Sequence, residues 1–441
     1  MKALAAAFAL QLTCALTGLG QMPPSRALPA QGGTSVALSL HDAEALALKN
    51  HPHILAAEDQ YSAAVQRVRE NKSAYYPTID GEITGSQGYD LTRIGAGALA
   101  ASVLFNREGQ GLQVGQLITD FGRRRNLVGQ SELQARAFDQ NVQATRYDVV
   151  LGVDRAYYGV LAAQAVVKVA EQTVAARQTV VDQVTALFKS QLKSQVDVSF
   201  ADVSLSQAKL LLVRAQGDVQ TALADLSRAL GEDTPRNYTV TESPEAPAPR
   251  SDPNALVAEA LQNRPELRAL QFDTQAARRF EAAERDLNRP TITFLGVGGA
   301  LPYINTTTRV PHEYEGAGIN VNIPIFNGFL FTARREEAHY QVLATDQRRR
   351  DLAQQISHDV RTALLSAATA YQRIPVAQQL LAQAQLALDL AQGRYNLGLS
   401  SIVDVTQAQL SLTQAQIENL SAKYEYQAQY AALQYTIGAL R

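Results

Sequence analysis

The sequence predicts a mainly α-helical chain with a small β part, laid out as an internal tandem duplication. Three observations predict it: apolar content carried by Ala, Leu and Val, long stretches free of proline, and short alternating segments that recur at matching places in the two halves. Among 441 residues 46% are hydrophobic and the formal net charge is −2, the balance of a folded protein that seeks neither nucleic acid nor an acidic polymer. Trp is absent and Met occurs twice. Ala, Leu and Gln in this proportion favour long thin helices over a thick globular core.

At the N-terminus an apolar run, Ala3 to Leu19, follows Lys2 and precedes a stretch with Pro, Gly and Ser. It reads as an export signal over residues 1–20, with 21–39 as a flexible segment. Cys14 is the single cysteine, so no intrachain disulfide can form. The thiol is either discarded with the signal or carries a lipid, and Gln11-Leu12-Thr13 lacks the residues a lipoprotein peptidase reads, which favours the first. Beyond the signal no run approaches the roughly 20 apolar residues of a membrane helix. Any membrane contact therefore falls to strands.

The duplication is explicit. Asn50-His51-Pro52 returns as Asn263-Arg264-Pro265, and Pro77-Thr78-Ile79 as Pro290-Thr291-Ile292, both 213 residues further on. Val196-Asp197-Val198 returns as Val403-Asp404-Val405 at 207 residues, and Asp120 already meets Asn327 at that spacing. The first copy thus carries six extra residues between Pro77 and Asp120, where an external loop can vary. The copies run over 40–231 and 254–438. Between them a Pro-rich linker, 232–253, cannot be one helix.

Within a copy the order is helix, strand, strand, long helix, turn, helix. Asp42 to Ala74 reads as a helix that Pro77 ends. Ile79, Gly81, Ile83 and Gly85 then alternate with Asp80, Glu82, Thr84 and Ser86, a strand with one oily and one wet face. A second strand surrounds Leu112, Val114 and Gln116; in the second copy Ile319, Val321 and Ile323 alternate with Asn320 and Asn322 until Pro324. From Gly122 to about Ser190 no proline interrupts a helix of roughly 65 residues, about 100 Å long. Val196 to Leu230 is about half that length. Val196, Val203 and Leu210, and Val403, Leu410, Ile417 and Tyr424, recur every seven residues, a spacing that asks for neighbouring helices.

Four strands per chain, each about the 9–11 residues that cross a bilayer, cannot close a barrel. An unpaired edge in hydrocarbon costs several kcal/mol per group, and the smallest single-chain barrels use about eight strands. The competing reading is surface hairpins on a soluble protein. Because both copies place a proline-bounded hairpin with an uncovered apolar face at the same point between helices, the barrel is read as shared between chains, its axis continuing into a ring of long helices. No nucleophile, base or metal cluster converges in the sequence, so no catalytic, cofactor or metal residue is assigned. His51-x-His53 straddles a proline without further ligands. Arg123-Arg124-Arg125 and Arg348-Arg349-Arg350 read as solvated helix faces.

These residues resemble the TolC-type outer-membrane efflux proteins over nearly the whole mature chain. The markers are Asn50-x-Pro52 and Asn263-x-Pro265, the junctions Gln116-Leu117-x-x-Asp120-x-Gly122 and Pro324-Ile325-Phe326-Asn327-Gly328, and the turn Arg394-Tyr395-x-x-Gly398-x-x-Ser401-x-x-Asp404-Val405. The resemblance implies a homotrimer in the bacterial outer membrane, with twelve strands in lipid and twelve helical columns in the periplasm. It implies a non-enzymatic channel subunit of a tripartite efflux or type I secretion system, docked on a periplasmic adaptor of an inner-membrane pump or ABC exporter. Leu397, Gly398, Leu399 and Ser400 match the tip that meets the adaptor, and Tyr395 and Asp404 match residues that hold the tunnel mouth closed. Ser400 and Gln407 stand where family members can carry a gate arginine and a second acid, which points to a hydrogen-bonded gate. Asp404 as a helix N-terminal acid is the competing reading, supported by its copy Asp197. Gln191 stands where Gly398 stands, so the two tips are expected to differ. The alternative function is a soluble periplasmic coiled-coil scaffold or adaptor.

Overall fold

A proline cuts the first helix of each copy in two. Pro52 and Pro265 lack the N–H a continuous helix needs, and His51 and Arg264 before them take extended backbone (ψ 125° and 119°). The single helix expected over 42–74 is therefore two, α1 (Leu40–Asn50) and α2 (Pro52–Ser73). Each proline sits in the first turn of the second piece, where its missing donor costs nothing. The computed structural model describes residues 36–87, 92–93, 103–104, 106–232, 234, 236, 238–305 and 311–439. The expected signal over 1–20, Cys14 and residues 21–35 lie outside them.

One correction falls at the start of this region. Residues 36–39 belong to no loose segment: β1 (Val36–Leu38) pairs in parallel with a strand of the linker, and Ser39 caps α1 by accepting from Asp42 N. After α2 come β2 (Thr78–Ser86), the two-residue strands β3 (Thr92–Arg93) and β4 (Val103–Leu104), and β5 (Asn106–Thr119). Helices α3 (Arg123–Lys189) and α4 (Gln195–Ala229) complete the first copy, and β6 (Tyr238–Val240) is the linker strand that meets β1. The second copy repeats the plan: α5 (Pro253–Asn263), α6 (Pro265–Arg285) with a 3-10 turn, β7 (Thr291–Asn305), β8 (Glu313–Asn322), α7 (Leu330–Asn396) and α8 (Ile402–Thr436). Both α3 and α7 have 67 residues, about 100 Å of rod, and both α4 and α8 have 35. Unlike α3, α7 runs through an internal proline, Pro375.

Such rods have little interior. The core gathers instead at three places along their length. In mid-chain, Ala43, Ala47, Ile54, Val149, Val153, Leu226 and Leu230 cluster in the first copy. Leu256, Ala260, Leu267, Ile356, Val360, Leu433 and Ile437 cluster at the same repeat positions in the second. A third cluster, Val184, Leu388, Tyr395, Ile402 and Val405, binds the far ends of both copies together.

At the opposite end lies one antiparallel sheet in the order β2-β5-β7-β8. Its register places Ile79 opposite Val114, Val114 opposite Gly296 and Gly296 opposite Ala317; one level on, Gly81, Leu112, Gly298 and Glu315 align. Because alternate residues share a face, Ile79, Ile83, Leu112, Val114, Ile319 and Val321 line one side. Asp80, Glu82, Gln113, Asn320 and Asn322 line the other. Among the described residues both β2 and β8 are free edges. Of the apolar residues on the first side, Ile79, Ile83, Leu112, Ile319 and Val321 are exposed, Ile83 by 88%, and Val114 is half-buried.

Candidate functional site

The third core cluster is where the sequence placed its functional residues, at the two helix-turn-helix tips. Each long helix ends on a Schellman turn, in which one left-handed residue lets two N–H groups reach back to the last free carbonyls. Leu399 N donates to Arg394 O at 2.8 Å and Gly398 N to Tyr395 O at 3.0 Å, with Gly398 at φ +76°. In the first copy Leu192 N donates to Leu187 O and Gln191 N to Phe188 O, both at 2.9 Å, with Gln191 at φ +59°. The tips expected to differ therefore share one backbone. Gln191 takes the left-handed conformation at a steric cost that glycine escapes.

The next helix starts identically in both. Asp404 accepts from Ser401 N at 3.1 Å and from Ser401 Oγ at 3.2 Å, while its own N–H donates to Ser401 Oγ. Ser194 and Asp197 form the same reciprocal box, at 2.9 and 2.8 Å. Those bonds, with Lys193 nearby, hold the Asp197 carboxyl below its ordinary range. The bonds made by Asp404 lie within its own turn, as the capping reading anticipates.

Tyr395 is not brought to Asp404. Its ring is buried in the cluster shared by all four rods, its hydroxyl makes no hydrogen bond, and Lys193 Nζ of the other tip stands 3.9 Å from the ring centroid. Burial, then the nearby Asp197 carboxylate, pushes the Tyr395 phenol up. A lysine over a tyrosine face is a cation–π contact, worth about 0.5–2 kcal/mol according to its solvation. Lys193 was missed in the sequence. The 207-residue spacing marks the position, since it pairs Lys193 with Ser400, but not the contact with Tyr395. Leu397 and Leu399 project from the second tip and Leu192 from the first, all exposed, and Ser400 Oγ sits 3.5 Å from Ala391 O.

The strand-to-helix junctions sit at the other end of the rods. Asp120 is buried and caps α3: its carboxylate accepts from Gly122 N at 3.2 Å and Arg124 N at 2.6 Å. Gly122 has φ +111°, a conformation that favours glycine, and a side chain there would meet Asp286. Asn327 plays the weaker counterpart, accepting from Phe331 N at 3.4 Å, with Gly328 at φ +62°. Around it Ile325, Phe326 and Phe329 are exposed.

An open sheet apolar on one face, set on rods with a four-helix tip, defines a class of protein: a channel subunit that is part strand barrel and part helical conduit. Comparison with known proteins places the chain within that class. Residues 45–232 and 256–439 match the family model for the outer membrane efflux protein, one match per copy. TolC of Escherichia coli is 24% identical over 405 residues, spanning 89% of this chain and 80% of TolC. The outer membrane efflux protein BepC of Brucella suis is 26% identical, spanning 92% of this chain and 86% of BepC. The CmeC outer membrane channel of Campylobacter jejuni superposes with a TM-score of 0.77 at 17% identity, covering 97% of this chain and 95% of CmeC.

The chain belongs to the outer membrane efflux protein family. It is a non-enzymatic outer-membrane channel subunit of an efflux system, with its helical tunnel in the periplasm, and as such it works with adaptor and pump partners. The soluble scaffold alternative is thereby set aside.

Proposed function

We propose that three copies of this chain close a twelve-stranded barrel, its apolar face in outer-membrane lipid, and that the tip far from the barrel docks on the periplasmic adaptor of an inner-membrane pump or ABC exporter. The observation that carries this reading is the sheet with two free edges and one exposed apolar face. Neither edge has a partner within the described residues, and in lipid each must find one. Residues 1–20 direct export. The repeats 40–231 and 254–438, joined by the linker 232–253, give each chain four strands and four columns of the ring.

At the docking end, Leu397, Gly398, Leu399 and Ser400 form the contact with the adaptor, the leucines supplying apolar anchors and the glycine a close backbone approach. Tyr395 and Asp404 form the gate by different means. Asp404 fixes the start of α8 through its capping box, and Tyr395 latches that hairpin to the neighbouring one through Lys193. The latch joins two tips of one chain and needs no arginine at position 400.

Single-channel conductance of the purified protein in a planar bilayer tests this. Lys193→Met and Asp404→Ala should each raise the conductance of the resting channel above wild type. Unchanged conductance and ion selectivity in both would remove the gate assignment. A wild-type protein that forms no channel would remove the conduit reading itself.

A further inference from the structure

Within one chain, the end of α6 is seated against the start of α3 by polar contacts. Arg289 Nη1 donates to Phe121 O at 2.6 Å and its Nε meets Asp286 at 3.2 Å. Asn126 Nδ2 donates to Asp286 Oδ2 at 3.0 Å, and Arg123 meets the buried Glu284 at 3.6 Å. This seat continues the pairing of β5 with β7, the strands that lead into α3 and out of α6.

The duplication states what the equivalent seat is made of. On the α2 side, 213 residues earlier, Glu284, Asp286 and Arg289 become Asn71, Ser73 and Tyr76; on the α7 side, 207 residues later, Gly122, Arg123 and Asn126 become Phe329, Leu330 and Ala333. Ionic groups have been lost from both sides together. Uncharged groups take their places, polar in Asn71 and Ser73 and aromatic or apolar in Tyr76, Phe329, Leu330 and Ala333, and among the described residues nothing in the chain covers the large ones: Tyr76 is 70% exposed, Phe329 73% and Leu330 50%. Phe326 and Phe329 meet edge to face, their centroids 5.6 Å apart, beside this opening.

We infer that the start of α7 is the seat for the end of α2 of a second copy of this chain, an aromatic and aliphatic clasp in which Tyr76 packs on Phe329 and Leu330. The inference rests on the proposal that copies form a ring. Strand β8 faces β2 of the next copy as β5 faces β7 within one, so α7 and α2 meet across the junction as α3 and α6 do. The occupant is a second copy because the only surface related to the intrachain partner by the duplication is α2, whose own end is open. The two chemistries also keep the seats apart: Leu330 offers the buried Glu284 of α6 no counterpart to the Arg123 it meets within the chain.

Disulfide capture tests it in the full-length chain. Ser73→Cys and Ala333→Cys occupy the places of Asp286 and Asn126, whose side chains touch in the intrachain seat. The double variant should run as a covalent trimer on a non-reducing denaturing gel and either single variant should not. As a second reading, Tyr76→Asp should lower the assembled fraction about tenfold per interface, the scale of one lost buried aromatic contact. A double variant that is trimeric by native mass yet gives no cross-link would overturn the clasp and leave the ring standing. A monomeric one would overturn both.

Discussion

The middle of the first copy and the middle of the second fill the same repeat positions with different company. Ile54, Val153, Leu226 and Leu230 in one answer to Leu267, Val360, Leu433 and Ile437 in the other. Tyr157 answers to Leu364, and here the two diverge. The Tyr157 hydroxyl lies 3.1 Å from Leu38 O and 2.7 Å from Thr241 O, so it ties α3 to the strand pair that the linker makes with residues 36–38. The next position, Tyr158, is buried beneath that pair, whereas its counterpart Leu365 is 68% exposed. Duplication supplies two equivalent cores, and the linker, which exists once, covers only the first. Among the described residues Leu365 of α7 has no such cover.

Where the cores are equivalent, equivalent damage should follow. Leu226→Ala and Leu433→Ala both remove a fully buried side chain, and each should cost about 2–5 kcal/mol, read as similar falls in thermal midpoint. A large difference between them would show that the second core draws its stability from elsewhere.

The glycines at helix ends sharpen the comparison along the rods. Gly231 and Gly398 both have positive φ, but a Cβ on Gly231 would stand 2.8 Å from His51 Cα while one on Gly398 would meet nothing within 4 Å. Gly231→Ala should therefore lower the thermal midpoint well beyond the effect of Gly398→Ala, which carries only the left-handed penalty of about 1–2 kcal/mol. Gln191→Gly should recover a fraction of that amount at the other tip.

A further difference lies in pH dependence, and it belongs to one copy alone. Asp154 is buried against Glu44, and burial, then the Glu44 carboxyl, pushes it up to about 8. Tyr158 and Ser243 complete the surroundings, and the equivalents of the acids are Val257 and Arg361. An acid whose folded pKa lies above its unfolded value near 4 keeps its proton on folding. The unfolded chain then binds fewer protons, so stability falls as pH rises from about 4 to about 8 and levels off above. Asp154→Asn should flatten that slope in thermal melts across this range, while Arg361→Gln should leave it unchanged.

Much of this was legible in the sequence, for physical reasons that differ by region. A proline-free stretch with no competing signal fixed α3 to within a residue or two. Prolines bounded the strands, and a period of two gave the faces of β2 and β8. The break at Pro52 was not read, although a proline preceded by an extended residue is a boundary signal. The pairing of β1 with β6 was out of reach: three-residue strands about 200 positions apart have no periodicity to detect. At the tip, Ser401 with Asp404 was readable as a cap because a capping box is local. Lys193 over Tyr395 joins residues about 200 positions apart, and only the fold brings them together.

Native mass spectrometry of the detergent-extracted protein reaches the central claim most directly. A sheet with two unpaired edges and an exposed apolar face should yield a species of three chains that survives dilution. A stable, folded single chain in detergent would contradict it.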